Sequence, residues 1–532
     1  MPLVFPNNPT NGQVYSSGSS AQYQYNGSYW EIVMPKVLIS SSYAITASHL
    51  IPSTDEFLWA DLKHSAHQWG ANFAFKNKIF AVGSNFSYRT TGVANNTDLT
   101  GIITEVPILQ RPVSFSKLVV NPNNVYALGD NGVAYSYGVN NYGQLGIGTN
   151  ANVFMRPMAP ITSSRISGSG IRVLDIYGAN NSTNNQTDGN YASIIFKVND
   201  NGTLKYFGVG ANDYAQLGIG NTTAIISVPT ENVTMRGKNI VSMSMGSFNA
   251  ASVLALVDDG TVWSWGYNNV GQLGVGNQTL GTNPTQAKSG SGLVPITNAI
   301  DVQSCMMSDD SSFVWYNTFI LKSDGTVLGA GNGGDYLRGD GQNSTSPFFF
   351  SDVRTSATTK LQNIVKIYCK GWFRGALDSS GNLWAWGKNY WGAWGDPAKA
   401  ESAFNQWASI IATGVQDVSI DACTSRISRI YIKQNGVWFS SGYNNDYSCI
   451  IGYRDSDNVN PRKQMALPAE KEIKRWIPVG NYAGSSAIGG IMFQTTDNHY
   501  YMAGYLDYIL GNGSGYSAGS VNIDYKLKDL LS

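Results

Sequence analysis

The run GTVWSWGYNNVGQLGVG at 260–276 is rich enough in glycine to suggest a phosphate cradle. Such a cradle needs a helix after the glycines, whose free N–H groups and dipole hold the anion. His64 and His67 stand three apart, a spacing that shares one helix face, but no carboxylate or third ligand accompanies them. Asp455, Asp457 and Asn458 suggest a calcium loop and lack its central glycine and distal glutamate. Cys305, Cys369, Cys423 and Cys449 are far apart with no C-x-x-C pair, which argues against a disulfide scaffold or zinc site and for buried thiols. No nucleophile elbow, H-E-x-x-H pair or P-loop occurs, and four histidines leave little acid–base chemistry. The expectation is no enzyme, no catalytic residues, no metal and no cofactor.

Nearly the same glycine string, GVAYSYGVNNYGQLGIG, stands at 132–148, so the pattern belongs to a repeat. Eight copies end at Gly83, Gly138, Gly208, Gly266, Gly331, Gly387, Gly442 and Gly504, spaced 55 to 70 residues apart. A wandering period implies a fixed unit with loops of variable length. Each unit reads as an apolar strand (NIVSMSM, 239–245), a second strand (SVLALVD, 252–258), an Asp-Gly or Asn-Gly turn, and a third strand such as TVWSWG. Edge segments such as RPMAPI and SVPTENV often follow the glycine loop. Short antiparallel sheets repeated eight times must close or stack to bury their faces, and a propeller leaves few free edges.

The strings QLGIG at 144–148 and 216–220 and QLGVG at 272–276, each after a D/N-G hairpin, resemble the RCC1 repeat. The resemblance covers about residues 50–515 and is strongest in copies two to four. It implies an all-β, RCC1-like β-propeller of seven or eight blades, since that family closes with seven and eight hairpins are present here. The glycines then serve turns and close packing. Segments 37–47 and 520–527 are candidates to pair at ring closure. Some RCC1 proteins are guanine-nucleotide exchange factors, and a plant ultraviolet receptor uses clustered G-W-R-H-T motifs. Here GWFRG at 371–375 is a single imperfect echo, so Trp263, Trp265, Trp384 and Trp386 are read as core.

Composition narrows the setting. Charged residues are 13% of the 532, against roughly 25% in ordinary soluble domains. Lys plus Arg equals Asp plus Glu at 35 each, so no net field attracts nucleic acid or an anionic membrane. No apolar run reaches the length of a membrane span, and the start MPLVFPNNPT lacks the features of a signal peptide.

Residues 1–35 fit no repeat. YQYNGSYWEIV (23–33) reads as a hairpin in which Asn26-Gly27 turns the chain between Tyr23/Tyr25 and Trp30/Ile32. Pro6, Pro9, Gly12, Tyr15, Tyr23, Tyr25, Asn26, Gly27 and Trp30 match a lead common in tailed-bacteriophage fibre and virion proteins, which this segment resembles. Domains are therefore expected at 1–35, an attachment hairpin through Tyr23, Tyr25 and Trp30, and at 36–532, the propeller.

Three loops between first and second strands are enlarged, 178–191, 305–318 and 480–490, and should gather on one face. Asn185, Tyr191, Trp315, Tyr316 and Tyr482 in them suit binding to carbohydrate or protein. The resulting expectation is a structural protein of a phage virion, made in the host cytoplasm and carried on the particle as a tail fibre or tail-tip component. Its partners would be other virion proteins and a host-surface glycan or receptor protein, with homo-oligomerisation open and no nucleic acid. The alternatives are a cellular RCC1-like adaptor or exchange factor, and a capsid decoration or head fibre protein.

Overall fold

The computed structural model describes residues 99–110, 112, 114–121, 124–150, 155–179, 192–246, 251–308, 314–344, 347–400, 403–421, 429–442, 459–465, 472–483 and 486–495, with strand segments 14–17, 21–25, 30–33, 58–59, 70–75, 78–83, 500–504 and 521–522. The chain divides into two compact units, Met1–Ser48 and His49–Ser532, so the boundary falls somewhat beyond residue 35.

In the first unit, strands Val14–Ser17, Ala21–Tyr25 and Trp30–Val33 form a three-stranded antiparallel sheet. Tyr25 stands opposite Trp30 and Tyr23 opposite Ile32, the two pairs expected to face each other, with four residues, 26–29, joining the strands where a two-residue Asn-Gly turn would set Tyr25 opposite Ser28. The turn residues and the side chains of Tyr23, Tyr25 and Trp30 lie outside the described residues.

The second unit holds eight four-stranded antiparallel sheets, each built from consecutive strands. We number these blades 1 to 8; they span 58–106, 115–160, 171–231, 240–286, 299–352, 364–412, 415–464 and 473–522. Blade 4 shows the logic. Ile240–Met245 pairs with Ser252–Val257, which pairs with Val262–Gly266 across the Asp-Gly turn, and Gly281–Gln286 closes the edge. First strands of neighbouring blades lie side by side from blade 2 to blade 7, and the first strand of blade 8 reaches the second strand of blade 1. The fold is an all-β propeller of eight blades. Val521–Asn522 pairs within blade 8, with Tyr501–Met502; its proposed partner 37–47 lies outside the described residues.

The core lies between blades. Tyr126, Leu128 and Ala134 of blade 2 pack on Val173, Ile176, Phe196 and Phe207 of blade 3. Matching clusters join blades 3 and 4, 4 and 5, 5 and 6, and 6 and 7. Aromatic and β-branched residues at alternate positions supply both faces of each slab. A register shift near the start of the first strand recurs in blades 2 to 8, leaving Ser116, Leu174, Val241, Ile300, Val365, Gln416 and Lys474 without direct partners. Such bulges bend and twist a strand, which lets these strands curve inside the ring.

Two expectations need correction. Cys305 and Cys369, read as thiols, form a disulfide between the first strands of blades 5 and 6, with Cα atoms 5.6 Å apart. Sequence spacing hid it because the partners meet only when the blades stack; Cys423 and Cys449 lie outside the described residues. The repeat glycine of blade 3 is Gly210 and not Gly208. Its third strand, Thr203–Ala211, is nine residues long against five in blade 4, and it is Gly210 that takes φ 99° opposite Ser193, as Gly266 takes φ 94° opposite Ser252.

Candidate functional site

Antiparallel order puts the loops after first and third strands on one face of the ring and the Asp-Gly turns on the other. The ends of the first hairpins of blades 3, 5 and 8 therefore share a face, and in blade 8 only residues 484–485 separate the two strands, so the enlarged loop expected at 480–490 is hairpin arm instead. That face is shaped first by the glycine loops. In blades 2, 3 and 4, Asn140, Asn212 and Asn268 each accept the amide N–H five residues on through Oδ1, at 3.0, 3.1 and 3.0 Å. Their Nδ2 groups donate to the carbonyls of Thr149, Asn221 and Asn277. Gln144, Gln216 and Gln272 accept the amide two residues earlier. The polar residues of the motif are thus spent on its own backbone.

The loops also latch blade to blade. Trp265 Nε1–H donates to Gln216 O at 3.0 Å, Trp386 Nε1–H to Leu337 O at 3.1 Å, and Ser441 Oγ–H to Ala393 O at 2.9 Å. Gly148, Gly220 and Gly276 donate to the outer strand region of the next blade at Ser227, Thr282 and Phe348. A β-carbon on Gly218 would stand 2.9 Å from the Trp265 ring. These glycines hold blades together and offer no ring of free N–H groups to a phosphate.

Blade 5 departs from the pattern. Gly333 stands where the other loops carry Asn, and Arg338 takes the place of the motif leucine. The fully buried Arg338 donates to Gly331 O and Ser344 O and pairs with Asp340 at 2.6 Å. Its guanidinium supplies the donor half of what the missing Asn side chain would do, since it has no acceptor for a backbone N–H.

On this scaffold seven aromatic rings run through the loop side of blades 3 to 6, five of them partly exposed and two, Tyr316 and Trp372, buried beneath them. Tyr214 meets Tyr267 edge-on at 5.0 Å and Tyr267 meets Tyr316 at 5.4 Å. Trp315 meets Trp372 at 6.3 Å, Trp372 stacks on Tyr390 at 4.9 Å, and Tyr390 meets Trp391 at 5.2 Å. Trp315 and Tyr316 are successive strand residues, so their rings leave opposite sides of blade 5 and join the two series. Burial pushes the Tyr316 and Tyr267 phenols upward, reinforced by the neighbouring tyrosines, so both stay protonated in any ordinary buffer. Beneath Trp372, fully buried Arg374 donates to Asn317 Oδ1 at 3.2 Å and to the Gly371 and Phe373 carbonyls. Burial without a carboxylate brings this guanidinium down to about 9.

Lys388, at the end of the third strand of blade 6, points into this group. Its Nζ lies 5.3 Å from the Trp372 ring centre, 5.2 Å from Tyr390 and 5.4 Å from Phe404, and 3.5 Å from Asp335 Oδ2.

The expected rim residues fare unevenly. Trp315 and Tyr316 belong to strand Val314–Lys322 and not to a loop; Tyr316 is buried at 3% exposure and Trp315 half-buried. The sequence 305–318 looked loop-like because its polar centre interrupts the strand pattern, whereas the hairpin arms extend to Ser308 and from Val314. Tyr482 is likewise in a strand, Ile473–Ala483, its side chain outside the described residues. Asn185 and Tyr191 lie outside them, as do His64, His67 and Asp455. Missed by the sequence reading were Tyr214, Tyr267, Tyr390 and Trp391; Tyr390 and Trp391 stand out where WGAWG replaces GQLG-type residues, whereas Tyr214 and Tyr267 sit where other copies also carry tyrosine and gave no signal. Among the described residues no group of three His, Cys, Asp or Glu could hold a metal ion, and no helix is long and apolar enough to cross a membrane.

Two models of the regulator of chromosome condensation (RCC1) repeat match, at residues 259–304 and 240–272, both centred on blade 4. The chain is 29% identical over 159 residues to the human E3 ubiquitin-protein ligase HERC2, covering 30% of this chain and 3% of that protein. It is 24% identical over 261 residues to the Arabidopsis thaliana ultraviolet-B receptor UVR8, covering 48% and 49%. The chain thus spans half or less of the curated relatives it matches. Among solved structures, Prp20p of Saccharomyces cerevisiae, described with its binding to Gsp1p and histones, superposes with a TM-score of 0.49 at 16% identity, covering 75% of this chain and 89% of that one. RCC1 repeats are thus matched at residues 240–304, within a propeller of eight four-stranded blades.

Proposed function

We propose that the chain is a non-catalytic binding scaffold whose loop face takes a protein partner. The observation that carries this reading is the run of seven rings across blades 3 to 6 on the face where loops vary, while the repeat's own polar groups are engaged in latching. Flat, rigid side chains beside short polar residues give contact area at small entropic cost. The curated relatives are eukaryotic cellular proteins, which supports a cellular adaptor as the setting; exchange on a small GTPase is a narrower form of the same reading. The experiment is partner capture from lysate by the wild type and by a Tyr214→Ala/Trp391→Ala double variant. The variant should melt as the wild type does and lose the captured protein, whereas full capture would sink the reading.

A second setting draws on the N-terminal unit. A separate three-stranded sheet with Tyr25 opposite Trp30 fits the attachment hairpin that resembles phage virion modules. Under it the propeller is a tail fibre, tail-tip or head decoration component, in contact with other virion proteins and a host-surface glycan or receptor. Mass spectrometry of purified particles finding this chain would support it; recovery from cytosol with a GTPase would support the cellular setting.

A further inference from the structure

We propose that the pocket of rings between blades 5 and 6 is a binding site for an alkylated ammonium group, kept closed by Lys388. The site stands apart from the partner reading, since a cation could bind there whichever macromolecule the face meets.

The first argument is geometric. The ring centres of Trp372, Tyr390 and Phe404 lie 5.2 to 5.4 Å from one ammonium, with Trp372 and Tyr390 stacked on each other so that one of that pair turns its face to the charge, and the Asp335 carboxylate stands 3.5 Å away. Rings within about 6 Å attract a cation through their quadrupole, and such boxes select quaternary ammonium. Lys388 marks the place where the charge sits. Its side chain keeps 20% exposure and Phe404 is 50% exposed, so the box opens to solvent.

The second argument is backbone conformation. Trp391 and Asp335, which flank the box from blades 6 and 5, both take left-handed φ, 56° and 53°. The corresponding Tyr142, Tyr214 and Val270 of blades 2 to 4 do not. A bulky residue there is uncommon, and such conformations gather at ligand clamps. The repeat is thus distorted at the two loops that meet over the box.

Exchange chemistry favours the ligand class. A lysine ammonium is compact and strongly hydrated, so leaving the rings for water restores its hydration. A trimethylammonium group is weakly hydrated and loses little on entering. The cation is replaced one for one, and Asp335 stays neutralised.

The test is fluorescence titration of the full chain with tetramethylammonium, against sodium at equal ionic strength. Lys388→Ala empties the box and should bind tetramethylammonium about tenfold tighter than the wild type, a coupling of the size cation–ring contacts supply. Lys388→Met, which keeps the stem packing, is the second variant should the first not fold. Adding Tyr390→Ala to either should remove the gain. Choline, phosphocholine and free trimethyllysine then distinguish a metabolite, a headgroup and a modified side chain as the source. Equal weak binding by wild type and both Lys388 variants, or a gain that sodium reproduces, would overturn the proposal. Either result leaves partner capture by the loop face to be judged separately.

Discussion

At the residue scale, glycines that look alike in sequence do different work. Gly266 takes φ 94°, and a β-carbon there would stand 1.9 Å from Ala251 O. Gly202 takes φ 89° and a β-carbon would meet nothing within 4 Å. Both substitutions force an L residue into the left-handed region, at about 1–2 kcal/mol. Gly266→Ala alone adds a clash with backbone that cannot yield. Urea denaturation should show Gly202→Ala losing about 1–2 kcal/mol and Gly266→Ala clearly more; equal losses would mean the close approach is absent. Asp340 offers a second check. Removing it by Asp340→Ala strands the buried Arg338 guanidinium, and loss of one partner of a buried pair costs about 3–5 kcal/mol.

At the element scale, the hairpin turns of blades 4, 5 and 6 are each tied by their own carboxylate, Asp259, Asp324 and Asp378, and those of blades 2, 3 and 7 by a side-chain amide. Asp324 Oδ1 accepts the Thr326 N–H at 3.0 Å and hydroxyl at 2.6 Å, and Lys322 lies 3.0 Å from Oδ2. Burial alone would raise this carboxyl, but the Thr326 and Lys322 bonds outweigh it and bring it down to about 2. Hydrogen bonds from Thr261 likewise lower Asp259. A group lowered on folding adds stability above its unfolded range and loses it as pH falls through its folded value. The wild type should therefore weaken between about pH 4 and pH 2, and Asp324→Asn should weaken less over that window in urea midpoints; an identical slope would show the turn carboxylate is not coupled to folding. The side chain of Asp324 is more than half exposed, so the effect is small.

The Cys305–Cys369 bond is also an element-scale feature, tying blades 5 and 6 across 64 residues of chain. Closing a loop of that length in the unfolded chain contributes about 2–4 kcal/mol. Reductant, or Cys305→Ser with Cys369→Ser, should lower the melting temperature and leave the partner-facing rings in place. A melt indifferent to reductant would mean the thiols stay unpaired. Such bonds persist in oxidising surroundings, so the redox state of the isolated protein bears on which setting it works in.

At the scale of the whole molecule, stability is spread through slabs between successive blades, because no sheet can bury both faces alone. The leading sheet of Met1–Ser48 is a separate compact unit. Deleting residues 1–35, which spares the candidate closure segment 37–47, should leave the melting temperature of the remainder unchanged while removing any attachment function, and a large drop would show the propeller depends on the leading sheet.

The repeat was legible from residues alone because its signals are local. An Asp-Gly turn, alternating aromatics and the N-x-x-G-Q-L-G string each act within about ten residues, so strand order, turn positions and the eightfold count could be read from the chain. The pairing of the Tyr23/Tyr25 strand with the Trp30/Ile32 strand was legible for the same reason, though its register was not. Three-dimensional packing decided the rest. The Cys305–Cys369 bond, the Trp265 to Gln216 latch and the substitution of Arg338 for a missing Asn side chain join residues through space, where spacing carries no signal. Trp372, Tyr390, Phe404 and Lys388 lie up to 32 residues apart at loops and strand ends of blade 6, and Asp335 comes from blade 5; only the folding of that blade and its stacking on blade 5 bring them to one charge.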